Sequence, residues 1–353
     1  MKPSYAGSIR VLIVDDSALI RQLLTEILSS DPGITVVGTA PDPFVARDKI
    51  KALNPDVITL DIEMPGMDGL SFLERLMALR PMPVVVVSTL TQKGADTAVR
   101  ALELGAIDYI PKPLSDIQRG VSALAPELIA MVKAAAGARV ATLRGGPAAN
   151  PPAVFDHRLS TEGRIVAVGA STGGVEALQH LLGGLPADIP AMLVTQHMPA
   201  GFTASFARRL NDCCAMTVAE AADGARVLPG HVYIAPGNRH LELGRSGAHY
   251  YCRLHDGAPI SGHRPSVDVL FCSFATTAGR NGVGVILTGM GNDGTAGLLK
   301  MRHAGARTIG QDESSCLIYG MPKAARLAGA VEIELPLSQV PQAILNRCVR
   351  QEP

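Results

Sequence analysis

The chain has 353 residues, enough for two domains at the usual ~150 residues each. Lysine plus arginine equal aspartate plus glutamate at 32 each, a balance that argues against a nucleic-acid binder with its basic patch or tail. Six cysteines (Cys213, Cys214, Cys252, Cys272, Cys316 and Cys348) form no CxxC, so they read as reduced packing thiols rather than metal ligands.

The apolar run in MKPSYAGSIRVLIVDDS is short and stops at two aspartates. That predicts a soluble, cytoplasmic protein with no signal peptide and no membrane insertion. β-rich runs then follow at IRVLIVDD (9–16), ITVVGTA (34–40), DVITLD (56–61), PVVVVST (83–89) and AIDYIPKP (106–113). Between the first two, Ile20, Leu23, Leu24, Ile27 and Leu28 recur at helical spacing, and Asp31-Pro32 ends that helix. Five βα units of this size predict a parallel sheet with helices on both faces, a domain over 8–133. GARVATLRGGPAANPPAVFDHRLSTEG (137–163) has no sustained apolar periodicity and is rich in Gly, Pro and Ala. It reads as the body of an interdomain linker over 134–163, with a helix ahead of it. A second α/β series covers 164–349, with strands at RIVAVGA, AMLVTQHM, VYIAP and VGVILTG and a hairpin including GAHYYCRL. The two halves share no internal repeat.

In the first series, polar residues gather where strands end: Asp15 and Asp16, Asp61, Ser88 and Lys112. Ligand sites of open α/β sheets lie at those carboxyl ends, so the five should converge. Three carboxylates crowd together only around a cation, and an oxygen-only set favours a hard ion such as Mg²⁺. A carboxylate beside that ion can attack a phosphoryl group, with Lys112 and Ser88 binding its oxygens. Pro113 permits a cis bond that aims the ammonium inward. The plainer alternative, that acids such as Asp16 or Asp68 cap helices, fits one residue better than the whole set. VDDS, LDIEMPGMDG, VVSTL and YIPKP resemble a response-regulator receiver domain over about 125 residues. The resemblance implies Asp61 as phosphoacceptor, and Asp15, Asp16 and Asp61 as Mg²⁺ ligands with the Glu63 carbonyl. It also implies Ser88 as switch hydroxyl, Lys112 as phosphate partner and Tyr109 as the aromatic switch.

The second series opens on IVAVGASTGGVEAL, which admits a nucleophile at Ser171 or a phosphate cradle of glycines. GASTG fits G-x-S-x-G, a strand-to-helix turn that exposes a hydroxyl beside helix-start amides. A hydroxyl needs a base and a group to orient that base. His197 follows the apolar strand AMLVTQ, and Asp293 lies in the turn after VGVILTG, so all three arrive at one sheet edge. His180 and His303 fall in helical stretches. His157, His231, His240, His249, His255 and His263 fall in turn-rich or linker sequence and receive no chemistry. A dinucleotide fold would end its second strand in an acid, but this strand ends in Thr195-Gln196-His197, and the P-loop Lys-Ser/Thr pair is missing. The order Ser…His…Asp also differs from that of α/β-hydrolases.

GASTGG, TQHMPAGF, ILTGMGNDG and QDESSCLIYGMP (311–322), with YIAPGNRHLEL and RPSVDVLF, resemble the catalytic domain of the CheB protein-glutamate methylesterases of bacterial chemotaxis. Receiver, linker and this domain is that family's own order. The resemblance implies a flavodoxin-like (βα)5 receiver followed by a doubly wound, Rossmann-like parallel-sheet hydrolase domain. It implies a Ser171–His197–Asp293 triad, with Met290 as oxyanion donor and Thr172 beside it. The implied substrates are methylated glutamates, and certain glutamines, of methyl-accepting chemotaxis receptors. The implied phosphodonor is the chemotaxis histidine kinase, whose action would alter how the receiver packs on the catalytic face. Mg²⁺ is implied for the receiver and no cofactor for the esterase. The rivals are a phosphorylation-controlled docking module, a general esterase or amidase, and a DNA-binding output domain, the last without a basic helix-turn-helix.

Overall fold

The computed structural model describes residues 7–64, 69–88, 91–112, 117–138 and 163–348. The chain divides into two compact units, Met1–Gly146 and Pro147–Pro353.

The first unit alternates strand and helix: β1 (Ile9–Val14), α1 (Ala18–Ser29), β2 (Ile34–Ala40), α2 (Pro43–Leu53) and β3 (Val57–Asp61). It continues through α3 (Gly69–Leu79), β4 (Val84–Ser88), α4 (Gln92–Glu103), β5 (Asp108–Pro111) and α5 (Ile117–Ala136). The strands form one parallel sheet in the order β2-β1-β3-β4-β5. Every residue of β3 and β4 is buried, as central strands covered on both faces require. α1 buries the apolar stripe Ile20, Leu23, Leu24, Ile27 and Leu28, and Ser17 caps its start. Burial of each such side chain is worth roughly 1.5–3 kcal/mol before chain entropy is counted. The strand order reverses at β1 and β3, opening a crevice at their carboxyl ends. α5 continues to Ala136, beyond the expected boundary at 133, because its apolar face (Leu128, Met131, Val132, Ala135) stays buried. Residues 139–162 of the expected linker, Pro65–Asp68 of the quoted motif and Pro113 lie outside the described residues.

The second unit begins with β6 (Ile165–Ala170), α6 (Gly174–Gly183), β7 (Met192–Gln196), α7 (Phe202–Cys213), β8 (Thr217–Glu220) and β9 (His231–Ile234). Next come β10 (His240–Ser246), β11 (His249–His255), α8 (Val267–Thr277), β12 (Gly282–Ile286) and α9 (Thr295–His303). β13 (Arg307–Gln311), α10 (Met321–Leu327), β14 (Ile333–Leu335) and α11 (Val340–Cys348) complete it. Seven strands pair in parallel in the order β14-β13-β12-β6-β7-β9-β8. The chain winds from β6 to one side and returns through β12 to the other, so its crevice opens between those strands. β10 and β11 form an antiparallel hairpin. Its Leu241, Leu243, Cys252 and Leu254 share a core with Leu270, Phe271 and Phe274 of α8. Sequence reading passed over β8, β13 and β14, which are short and carry few consecutive apolar residues. All six cysteines are free thiols. Among the described residues no helix is long and apolar enough to cross a membrane.

Candidate active site

β6 is buried throughout and releases the chain at Ser171. The Ser171 amide donates to the Thr288 carbonyl (3.0 Å), and its own carbonyl accepts from Gly174 (2.7 Å) at the start of α6. The turn needs glycine at 173, where φ is +77° and a Cβ would stand 2.7 Å from Leu317. The loop after β12 passes directly against the serine: a Cβ on Gly289 would lie 2.7 Å from Cβ of Ser171. Met290 follows, and among the described residues its amide donates to no protein acceptor. Thr172 is buried and its carbonyl accepts from the Thr288 hydroxyl (3.0 Å).

β7 ends beside β6 and delivers His197, whose amide donates to the Ala170 carbonyl (3.2 Å). Gln196 Nε2 donates to the Ser171 carbonyl (2.9 Å) and so ties the two strand ends together. His197 Nδ1 lies 3.1 Å from Ser171 Oγ, and Nε2 lies 2.8 Å from Asp293 Oδ2. An ionised carboxylate only accepts, so the proton belongs on Nε2 and the Nδ1 lone pair faces the serine hydroxyl. The three residues expected from sequence therefore meet in one chain of contacts.

Asp293 is buried, and the start of α8 saturates it. Oδ1 accepts from Ser266 Oγ (2.9 Å) and from the Asp268 and Gly294 amides (3.0 Å each), and Oδ2 accepts from the Val267 amide (2.7 Å). Burial opposes its charge most strongly. The His197 contact and the α8 amides outweigh burial and hold the carboxyl below the ordinary carboxylate range. Ser266 in turn donates its amide to Nδ1 of the buried His240 (3.2 Å), a ring that burial pushes below the usual histidine range.

Two features escaped the sequence reading. The α8 N-terminus as cradle for Asp293 was visible only as an ordinary Ser cap in RPSVDV. His263, given no chemistry, stacks on His197 with ring centroids 3.7 Å apart. His180 and His303 lie on α6 and α9, as their helical spacing predicts.

The crevice of the first unit gathers the other expected set. Carboxylate oxygens of Asp15, Asp16 and Asp61 all lie within 4.8 Å of one another. Lys112 Nζ reaches Asp61 Oδ2 at 2.6 Å and Asp15 Oδ2 at 3.0 Å, and the Glu63 amide donates to Asp61 Oδ1 (2.9 Å). Ser88 is buried, its hydroxyl donating to the Gly94 carbonyl (3.3 Å), and Tyr109 is buried, its phenol pushed well above the usual range chiefly by burial. Burial opposes the Lys112 charge, yet Asp61 and Asp15 together raise its pKa. Asp15 is raised too, because burial and the Asp61 charge outweigh the pull of Lys112. Its Oδ2 keeps the ion pair with Lys112 but no aligned hydrogen bond. A crowded, under-compensated, oxygen-only set of this kind fits a hard divalent cation.

Two family models match the chain: CheB methylesterase over residues 166–344 and the response regulator receiver domain over residues 11–124. A protein-glutamate methylesterase/protein-glutamine glutaminase of Salmonella typhimurium is 58% identical over 341 residues, covering 97% of each chain. The protein of that name from Chromohalobacter salexigens is 56% identical over 342 residues, again covering 97% of each. The crystal structure of the Thermotoga maritima CheB methylesterase catalytic domain superposes with a TM-score of 0.52 at 39% identity, covering 52% of this chain and 98% of that one.

Proposed function

This chain belongs to the CheB methylesterase family, with a response regulator receiver domain preceding the catalytic domain, and from that premise we propose that it is a phosphorylation-activated protein-glutamate methylesterase and protein-glutamine glutaminase. Its substrates are glutamate γ-methyl esters, and certain glutamines, of chemoreceptors, and it acts in the cytoplasm to give adaptation in chemotaxis. The observation that carries the reading is the unbroken line of contacts from Ser171 Oγ through His197 to Asp293, at 3.1 and 2.8 Å.

Ser171 Oγ attacks the γ-carbonyl carbon as its proton passes to His197 Nδ1. Asp293 compensates the imidazolium without taking its proton. The oxyanion is held by the Met290 amide, which has no protein acceptor of its own among the described residues, with Thr172 alongside. Collapse breaks the C–O bond, and methanol leaves with the proton from His197. Water then gives its proton to the same nitrogen, its oxygen attacks the acyl-enzyme, and glutamate is released as Ser171 regains its proton. Glutamine follows the same route with ammonia as leaving group, since both reactions share a tetrahedral oxyanion.

In the receiver, Asp61 takes a phosphoryl group from the chemotaxis histidine kinase: an Asp61 Oδ–P bond forms as the donor's bond to phosphorus breaks. Asp15, Asp16 and Asp61, with the Glu63 carbonyl, would hold Mg²⁺, which supplies positive charge against the incoming phosphoryl oxygens. Lys112 and the Ser88 hydroxyl bind those oxygens, and Tyr109 is the aromatic member of the switch. The phosphoryl group adds roughly two negative charges to the pocket.

Methanol release from methylated receptor membranes, with and without a small-molecule phosphodonor, tests the reading. Wild-type chain should release methanol faster with the phosphodonor. Ser171→Ala should cut turnover by about 10⁶ while Asp61 still accepts phosphate. A Ser171→Ala chain that still turns over at the wild-type rate would end the serine-hydrolase reading. Receptor binding without methanol release by the wild type would favour the docking module.

A further inference from the structure

The reaction as derived leaves His263 unused, yet its ring lies flat against the base. The His197 and His263 planes are inclined by only 10° at a centroid separation of 3.7 Å. His263 stands in the turn between β11 and α8, where it exchanges two backbone hydrogen bonds with Ile260 (2.9 and 3.0 Å). Its neighbour Arg264 braces that turn, donating to Asn238 Oδ1 (2.6 Å) and to the Asp256 and Gly257 carbonyls (3.1 and 3.0 Å). Among the described residues, neither ring nitrogen of His263 hydrogen-bonds to the protein. The backbone is therefore fixed while the ring contributes only its face.

His197 needs that face. One contact at each nitrogen aligns its ring between Ser171 and Asp293 but resists tilting about the line joining them only weakly, and χ2 of histidine is a broad torsion. A flat neighbour at van der Waals distance removes that freedom and keeps water off one side. We propose that His263 is a positioning residue, stacked on His197 to hold the base in the plane that joins Ser171 and Asp293. The inference rests on the reading of those three residues as the catalytic set.

The stack also has to be neutral, because an imidazolium beside His197 would oppose proton transfer from Ser171. Among the described residues, His197 and Asp293 are the ionisable groups that act on the His263 ring. Burial and then His197 push it down to about 4, with Asp293 pulling the other way, so the His263 ring is uncharged near pH 7.

The test compares full-length wild type, His263→Ala and His263→Phe in methanol release from methylated receptor membranes, with Ser171→Ala alongside. His263→Ala should lower kcat by about 10- to 100-fold, the scale of a misaligned base. KM should stay within about twofold, since the ring is argued to position and not to bind. His263→Phe, flat and uncharged, should return kcat to within about threefold of wild type. Wild-type kcat in the alanine variant, or a phenylalanine variant no better than alanine, would overturn the inference. Should the alanine variant fail a thermal-unfolding check, the phenylalanine variant decides alone by the same threshold. An active Ser171→Ala chain would instead remove the catalytic reading beneath it.

Discussion

Where β1 and β3 diverge, the first unit collects three carboxylates around one ammonium. Where β6 and β12 diverge, the second unit collects a hydroxyl, an imidazole and one carboxylate already saturated by five donors. The place in the fold is the same, the carboxyl edge at a reversal of strand order, and the chemistry is opposite. The carboxylate cluster has one ammonium against three carboxylates, a set that fits a hard cation. The Asp293 carboxylate has hydrogen-bond donors on both oxygens, one of them the His197 ring. Composition follows this division: all nine histidines and all six cysteines lie beyond residue 146. On the proposed reading, one unit responds to charge arriving from outside and the other shuttles protons internally.

The sharpest way to break this contrast is at Asp293. Asp293→Asn keeps the volume but turns an acceptor facing Nε2 into a group able to donate, favouring the wrong tautomer of His197. Methanol release should fall by about 10⁴, while phosphorylation of Asp61 is unaffected. Comparable losses in both assays would mean the two sites are not separate devices.

Acid should distinguish the units next. His263 is held near 4 in the folded chain, against an ordinary value of 6.5. Because the folded value is depressed, the unfolded chain binds the extra proton between those limits. Stability from this group is therefore complete above pH 6.5 and is lost as pH falls toward 4. The loss is about 3 kcal/mol at most, less to the extent that water screens the partly exposed ring. The depressed His240 steepens the same slope, and Asp293 extends it below the carboxylate range. Urea titrations read by peptide-level hydrogen exchange should show the slope in the second unit, reduced in His263→Phe. The first unit has no histidine and should show no such slope. Equal slopes in both units would contradict the assignment.

The smallest expected effect is the coupling. Asp61→Asn should remove stimulation by a phosphodonor, a factor of about 5 to 150 for a coupling of ~1–3 kcal/mol. An Asp61→Asn chain that is still stimulated would move the switch elsewhere.

The parallel sheets and both constellations were legible because each polar residue follows an apolar run, and the fold rule for such runs fixes where their ends converge. Ser171, His197 and Asp293 span 122 positions, yet each announces itself at a strand end. His263 does not, because HDGAPISGHRPS has no periodicity and its contact with His197 is made across the fold by a ring face. The cradle of Asp293 was hidden for a related reason: its donors are backbone amides, which sequence does not distinguish. β8, β13 and β14 were missed because pairing with longer neighbours, rather than their own composition, makes them strands.

Asp293 is moored to the first turn of α8, and α8 is gripped through Phe271 and Phe274 by the β10–β11 hairpin. The aim of the imidazole is thus inherited from aromatic packing more than a helical turn away. A change that slackened the hairpin would therefore shift Asp293 and the imidazole without altering Ser171, His197 or Asp293 themselves.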